Sequence, residues 1–252
     1  MPYAKTNRGE LFYTSSRGAT DGPTLVLVHG AGGTRLHWPA QLRRLPGATV
    51  YTLDLPGHGR SAGPGRDTVA DYAQAVAAFL DAVEARPATI VGHSMGGAVA
   101  LQLALDFAGR VAGLVLVATG ARLRVAPAIL EGIRTNFTGS VDLITRFAWS
   151  AEASPRLTRL GQQALREVGS DTLLSDFTAC DRFDVMERLG EIGVPTLVVT
   201  GSADQMTPVK YAHFLVEHIA DAHLVTVASA GHMVMLEQPA EVAQAVQDFL
   251  GK

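Results

Sequence analysis

Apolar residues along this chain fall into short solid runs separated by longer stretches with helical spacing. Thr24-Leu25-Val26-Leu27-Val28 is a continuous hydrophobic run, as expected of a strand buried on both faces of a sheet. Thr49 to Leu53, Ala88-Thr89-Ile90-Val91, Leu114 to Val117, Val194 to Val199 and Leu224 to Val227 are similarly short and rich in β-branched residues, and read as further strands. Between them, Val69 to Ala85 puts Val69, Tyr72, Ala73, Val76, Phe79, Leu80 and Val83 at helical spacing, with Pro87 beyond its end. Met95 to Asp106 and Glu241 to Leu250 read as helices, and another is expected from Trp38 to Leu45. Glu10 to Thr14, preceded by Asn7-Arg8-Gly9, predicts an N-terminal hairpin.

Strands alternating with helices at this pitch predict an α/β fold, a mostly parallel sheet covered by helices on both faces through right-handed crossovers. Alternation stops near Gly120 and resumes near Val194. The stretch between is helical in pattern and is expected to be an inserted lid. The expected organisation is a core of residues 1–119 and 188–252, with a helical lid at 120–187.

Composition narrows the function. A chain of 252 residues with 47% hydrophobic and 18% charged residues can bury a core and does not fit a disordered protein. The formal net charge is −3, and no basic stripe interleaved with aromatics appears, so nucleic acid is not an expected partner. Runs such as Gly113 to Ala118 are too short to span a bilayer. The stretch from Met1 to Arg8 lacks the apolar segment of a signal peptide, so the expectation is a cytoplasmic protein without a membrane partner. Cys180 is the single cysteine; it rules out an intrachain disulfide and is expected to pack as a small hydrophobe. No metal-binding cluster is visible, and neither metal nor cofactor is expected.

The chemistry gathers at strand ends, where ligand sites of parallel sheets lie. Val91-Gly92-His93-Ser94-Met95-Gly96-Gly97 joins a strand to a helix and fits the G-x-S-x-G nucleophile elbow. The tight turn forces its serine toward a left-handed backbone, and its neighbours need glycine because side chains there would collide. A serine hydroxyl is a poor nucleophile until a base accepts its proton and an acid orients that base. His232 in Ala230-Gly231-His232-Met233 follows the last strand, and Asp204 in Gly201-Ser202-Ala203-Asp204 follows the strand before it. Ser94, Asp204 and His232 therefore share one sheet edge, in the chain order that accompanies an elbow serine. Only the neutral imidazole can act as the base.

With His29-Gly30-Ala31-Gly32-Gly33, Asp54-Leu55-Pro56-Gly57-His58-Gly59-Arg60-Ser61, the elbow at Ser94, Asp204 and Gly231-His232, the chain resembles the α/β-hydrolase superfamily over nearly its full length. The resemblance implies an oxyanion hole made by the backbone N–H groups of Met95 and Ala31, with Gly32 the nearest alternative to Ala31. It also implies that His29 orients the loop after the first parallel strand, and that His58 with Asp54 fixes a neighbouring turn. Gly32, His93, Trp149 and Met233 are expected substrate contacts, although packing explains Trp149 and Met233 equally well; Met235 could likewise line an acyl pocket or pack in the core, and Trp38 reads as a packing residue.

Relatives with a carboxylate nucleophile do not match Ser94, and those relying on a lid lysine do not match a lid without lysine. The expected function is a serine hydrolase, a carboxylesterase cleaving esters of small or medium acyl groups through an acyl-enzyme. Lactonase, carbon–carbon bond hydrolase, cofactor-free perhydrolase and acyltransferase remain alternatives on the same triad, and a hydrolase-fold ligand receptor is the non-enzyme alternative. Between Arg122 and Arg166 seven arginines (Arg122, Arg124, Arg134, Arg146, Arg156, Arg159, Arg166) face three acids. These arginines are expected on solvated helix faces; one turned to the pocket mouth would instead receive a substrate carboxylate or an acidic carrier protein.

Overall fold

A computed structural model describes residues 3–85 and 87–251; Met1 and Pro2, part of the stretch read for a signal peptide, lie outside the described residues. The N-terminal hairpin forms from β1 (Tyr3–Thr6) and β2 (Gly9–Ser16), turned at Gly9 with φ +117°. The parallel strands are β3 (Thr24–Val28), β4 (Thr49–Leu53), β5 (Ala88–His93), β6 (Val111–Val117), β7 (Thr196–Gly201) and β8 (Ala222–Val227). The eight-stranded sheet runs β1-β2-β4-β3-β5-β6-β7-β8, with only the pairings of β2 antiparallel. β5 lies near its centre, and all six of its residues are buried.

Side chains alternate across the sheet because successive strand residues point to opposite faces. Val26, Val28, Ile90, Leu114, Leu116 and Val198 join one core cluster; Leu25, Leu27, Val91, Val115, Val117, Leu197 and Val199 join the other. The first face is covered by α2 (Val69–Ala82), α3 (Met95–Asp106) and α8 (Val209–His218). The opposite face is covered by α1 (Ala40–Arg43), α9 (Val234–Glu237) and α10 (Pro239–Leu250). Thr68 caps α2 by accepting from Asp71 N–H, while its own hydroxyl donates to Asp71 Oδ2.

The helix expected from Trp38 to Leu45 is shorter than its pattern. Arg35–His37 form a single 3-10 turn and the α-helix is confined to Ala40–Arg43. Pro39 has no N–H and holds the residue before it in an extended conformation, so it can begin a helix and not continue one. Trp38 is fully buried in the core, as packing predicts.

Four helices stand between β6 and β7: α4 (Pro127–Thr135), α5 (Phe137–Ala148), α6 (Pro155–Val168) and α7 (Ser170–Arg182). They share a separate core built on Ile133, Val141, Ile144, Leu165, Leu173 and Phe177. The one strand-like feature in this stretch is an isolated bridge of Arg122 to Asp184, which closes the segment at its base. None of the helices among the described residues is long and apolar enough to cross a membrane.

Candidate active site

Ser94 sits between β5 and α3 with φ 53° and ψ −118°, a conformation that a non-glycine residue adopts only when its surroundings hold it. The hold comes from both sides. Ser94 N–H donates to the Val117 carbonyl at 2.9 Å, and Thr119 Oγ1 donates to the Ser94 carbonyl at 2.7 Å. A Cβ on Gly92 would overlap the Gly96 carbonyl, and one on Gly96 would overlap the Val28 carbonyl. The close approach therefore permits only glycine at these two positions. The Ser94 side chain makes no cap bond to α3, so its role is not that of an ordinary helix cap.

His232 is brought to this edge by the turn after β8. Its Nδ1–H donates to Asp204 Oδ2 at 3.0 Å, which leaves the Nε2 lone pair free to accept a proton. Asp204 also accepts from Met206 N–H (2.8 Å), Thr207 N–H (2.9 Å) and Thr207 Oγ1 (2.7 Å). Burial by itself would raise the Asp204 pKa, but attraction to His232 and these hydrogen bonds outweigh it and hold the carboxyl below its usual range. Ser94 and His232 line one cavity of about 350 Å3. The described hydrogen bonds include none between Ser94 Oγ and Nε2; such bonds commonly tighten only when substrate is bound.

His93 also lines the cavity, but its Nε2–H donates to the His232 carbonyl at 3.0 Å. Burial, then repulsion from His232, lowers its pKa well below the usual value and keeps it neutral. Expected as a substrate contact, His93 thus serves first as a brace for the His232 loop. Glu237 adds a second brace, accepting from Gly231 N–H at 3.1 Å and Ser150 N–H at 3.3 Å. Trp149 and Met233 both line the cavity while packing in the core, whereas Met235 is core alone.

The loop after β3 divides the two oxyanion candidates. Ala31 lines the cavity. Gly32 is buried at φ +62°, and its N–H donates to Asp176 Oδ2 at 2.7 Å. Gly32 is not among the residues that line the cavity. His29 ties the loop to its neighbour as expected: Nδ1–H donates to the Gly30 carbonyl and Nε2 accepts from Leu55 N–H.

His58 and Asp54 each bond to the turn that they were expected to fix, through separate hydrogen bonds. Asp54 holds its turn by accepting from Arg60 N–H and from the backbone and guanidinium of Arg35. His58 donates through Nδ1 to the Pro56 carbonyl and through Nε2 to Asp176 Oδ2 at 2.8 Å. Both ring nitrogens facing acceptors is the geometry of an imidazolium. Burial opposes that charge, but the Asp176 carboxylate outweighs it and raises the His58 pKa.

Asp176 and Thr207 are the site residues that sequence reasoning missed. Asp176 offered a signal, since it falls on the apolar stripe Leu173, Phe177 and Cys180 of α7, where an unpaired acid would not be buried. Thr207 offered none. Cys180 is buried, and burial followed by the nearby Asp176 charge pushes its thiol up, which makes it inert. All seven arginines between 122 and 166 are exposed, and Arg124 is the one that lines the cavity. Among the described residues no cluster of three His, Cys, Asp or Glu could hold a metal ion.

Comparison with known proteins agrees with this architecture. A pimeloyl-acyl-carrier-protein methyl ester esterase of Neisseria meningitidis is 30% identical over 241 residues, covering 90% of this chain and 93% of the relative. The 3-oxoadipate enol-lactonase 1 of Acinetobacter baylyi is 28% identical over 256 residues, covering 97% and 95%. Among solved structures, a thermophilic esterase superposes with a TM-score of 0.88 at 34% identity, covering 99% of this chain and 96% of that one. The enol-lactonase from Burkholderia xenovorans LB400 superposes with a TM-score of 0.92 at 26% identity, over the whole of both chains. Residues 25–245 match the alpha/beta hydrolase family over most of the described fold, and the chain belongs to that family.

Proposed function

We propose that this hydrolase is a carboxylesterase in which Ser94, His232 and Asp204 form the catalytic triad. The observation that carries the reading is the Asp204–His232 pair opening onto the same cavity as a serine held at φ 53°. In the reaction, Ser94 Oγ attacks the ester carbonyl carbon while its proton passes to His232 Nε2. The carbonyl π electrons move onto oxygen, and the N–H groups of Ala31 and Met95 receive that oxyanion; donors aimed at charge that develops only in the transition state lower the barrier. Collapse of the intermediate expels the alcohol, which takes the proton from His232, and leaves an acyl-enzyme. Water then repeats the sequence and releases the acid. Asp204 stays ionised throughout and stabilises the imidazolium without taking its proton.

The cavity's size and lining support esters of small or medium acyl groups. Ile129, Ile144, Phe147, Leu165 and Phe177 from the helices between β6 and β7 supply an apolar wall, and about 300–1,000 Å3 is usual for small-molecule sites. In this reading those helices act as a lid, an insertion at 120–187 in a core of 1–119 and 188–252. Arg124 is the one cation on the wall, and because it is exposed it adds little to binding in salt. The Neisseria relative is named for an acyl-carrier-protein ester; a carrier with an acidic surface would meet Arg124 on the cavity wall. The enol-lactonase likeness brings lactones into the same chemistry, since opening a lactone merely keeps alcohol and acid on one product.

The test is Ser94→Ala, assayed on p-nitrophenyl esters of increasing chain length, on lactones, and on a monomethyl dicarboxylate against its dimethyl counterpart at low and high salt. Turnover should vanish in Ser94→Ala while far-UV circular dichroism stays unchanged; persistent hydrolysis in the folded variant removes the assignment. Dimethyl and monomethyl compounds should react alike at high salt. Steady multiple turnover separates an enzyme from a hydrolase-fold receptor, which would keep its ligand after one event.

A further inference from the structure

The helices between β6 and β7 reach into the core at one charged point. Asp176 on α7 is fully buried, and three donors from three separate segments converge on it. Gly32 N–H and His58 Nε2 bond its Oδ2 at 2.7 and 2.8 Å, and Tyr72 OH on α2 bonds its Oδ1 at 2.5 Å. Tyr72 OH in turn accepts from Arg66 N–H at 2.9 Å. Leu165 of α6 and Leu173 of α7 press on the same loop, for a Cβ added at Gly32 would lie 2.5 and 2.8 Å from their methyl groups. Gly32 therefore has its amide pinned by α7 and its open face closed by α6 and α7.

Ala31 is the neighbour of this pinned residue, and the orientation of its N–H follows from the peptide planes on either side. We propose that Asp176 is a positioning residue for the oxyanion hole: by holding Gly32 N–H it fixes the direction in which Ala31 N–H points at the developing oxyanion. The inference rests on the Ser94 esterase reading and adds a catalytic duty to helices otherwise read as a cover. The carboxylate is held for this task by a charged partner, His58, as a buried anion requires. Asp176 does not touch substrate, since it is absent from the cavity wall that Ala31 and Ser94 line.

A positioning role differs from a folding role in what it changes. Removing the acceptor should leave ground-state binding intact and weaken only interactions made with the oxyanion. Asp176→Leu alone strips the buried His58 ring of the carboxylate that keeps it charged and leaves its Nε2 unpartnered, which risks misfolding. The double variant His58→Leu/Asp176→Leu removes both charges together, a replacement that buried ion pairs often tolerate. It still deprives Gly32 N–H of its acceptor.

The experiment measures kcat and KM on p-nitrophenyl butyrate and Ki for a trifluoromethyl ketone of the same chain length, in wild type, the double variant and Asp176→Asn. The ketone adds to Ser94 Oγ, the serine proton passes to His232, and the resulting hemiketal oxyanion occupies the hole. The double variant should lose about 10- to 100-fold in kcat, less than the 10²–10³ of deleting a donor outright. Its KM should stay within about threefold, and its Ki should rise in parallel with the loss in kcat/KM. Asp176→Asn keeps an acceptor oxygen for Gly32 N–H and should recover kcat to within about fivefold of wild type. A folded double variant with wild-type kcat and Ki, or one whose whole loss lies in KM, overturns the positioning role. Ser94→Ala, assayed alongside, separates the two claims: hydrolysis surviving there overturns both, whereas an active, Ser94-dependent wild type with an unaffected double variant overturns this one alone.

Discussion

Asp204 accepts from backbone N–H groups through Oδ1 and from Thr207 and His232 through Oδ2. Its backbone donors are fixed, so Asp204→Asn would keep its oxygen toward them, set its NH2 against His232 Nδ1 and force His232 toward the wrong tautomer. A comparable change in a serine protease lowers kcat about 10⁴-fold, and a loss of that order with little change in KM is expected here, measured by steady-state kinetics on p-nitrophenyl butyrate. Thr207→Val removes one charge-assisted hydrogen bond of about 1.5–3 kcal/mol and shifts stability more than rate. A near-active Asp204→Asn would mean that another carboxylate orients the base. Asp204 was legible as a residue at a strand end. Thr207 was not, because a threonine three residues on carries no pattern that separates it from any loop threonine.

At the scale of elements, the elbow joins β3, β5, β6 and α3 through close backbone contacts. Gly92 meets the α3 backbone at Gly96, and Gly96 meets the carbonyls of Val28, the last residue of β3, and His29 just beyond it. No side-chain rotation can relieve an added methyl against backbone, so Gly96→Ala should cost about 1–3 kcal/mol or more through overpacking. Gly190→Ala is the control, since a Cβ there meets nothing within 4 Å, and its stability should change by less than about 1 kcal/mol. Urea melts of the two variants check this; equal midpoints would show that the elbow's packing yields. The elbow glycines were legible because the turn they permit is local. Helix α1 was overread because the apolar positions from Trp38 to Leu45 have helical spacing, while Pro39 permits a helix only after itself.

Across the whole molecule, buried histidines dominate the response to acid. His29 and His93 are held well below their usual pKa by burial first, then by repulsion from His58 and His232 respectively. His37 is lowered to about 4, again chiefly by burial. These three stay neutral in the fold and take up protons when it opens. Their contribution is thus present above the unfolded value of 6.5 and is lost as pH falls below it, at about 1.4 kcal/mol per pH unit for each proton taken up only by the unfolded chain. Asp204, depressed in the fold, adds a loss at still lower pH as it is protonated. His58 has the opposite sign: its raised pKa stabilises below 6.5, and the benefit is lost as pH rises through the folded value. Thermal melts should show the melting temperature falling from pH 6.5 toward 5, and His58→Leu/Asp176→Leu should remove a separate alkaline decline. A melting temperature flat from pH 7 to 5 would contradict the neutral burial of these rings.

Hydrophobic periodicity by itself determined the order of strands and helices and the parallel sheet, because side-chain alternation and helical spacing are properties of neighbouring residues. The strand-end positions of Ser94, Asp204 and His232 followed too, since parallel strands with right-handed crossovers all present their carboxyl ends to one edge. What only the tertiary structure decided is how distant segments complete one another. Gly32 and Asp176 are 144 residues apart and His58 and Asp176 are 118 apart, and no local pattern records which side chain meets which across such distances. An acid on a helix reads as solvated until packing places its face against the core. There the cost of burying its charge makes its partners, rather than its neighbours in the chain, decide what it does.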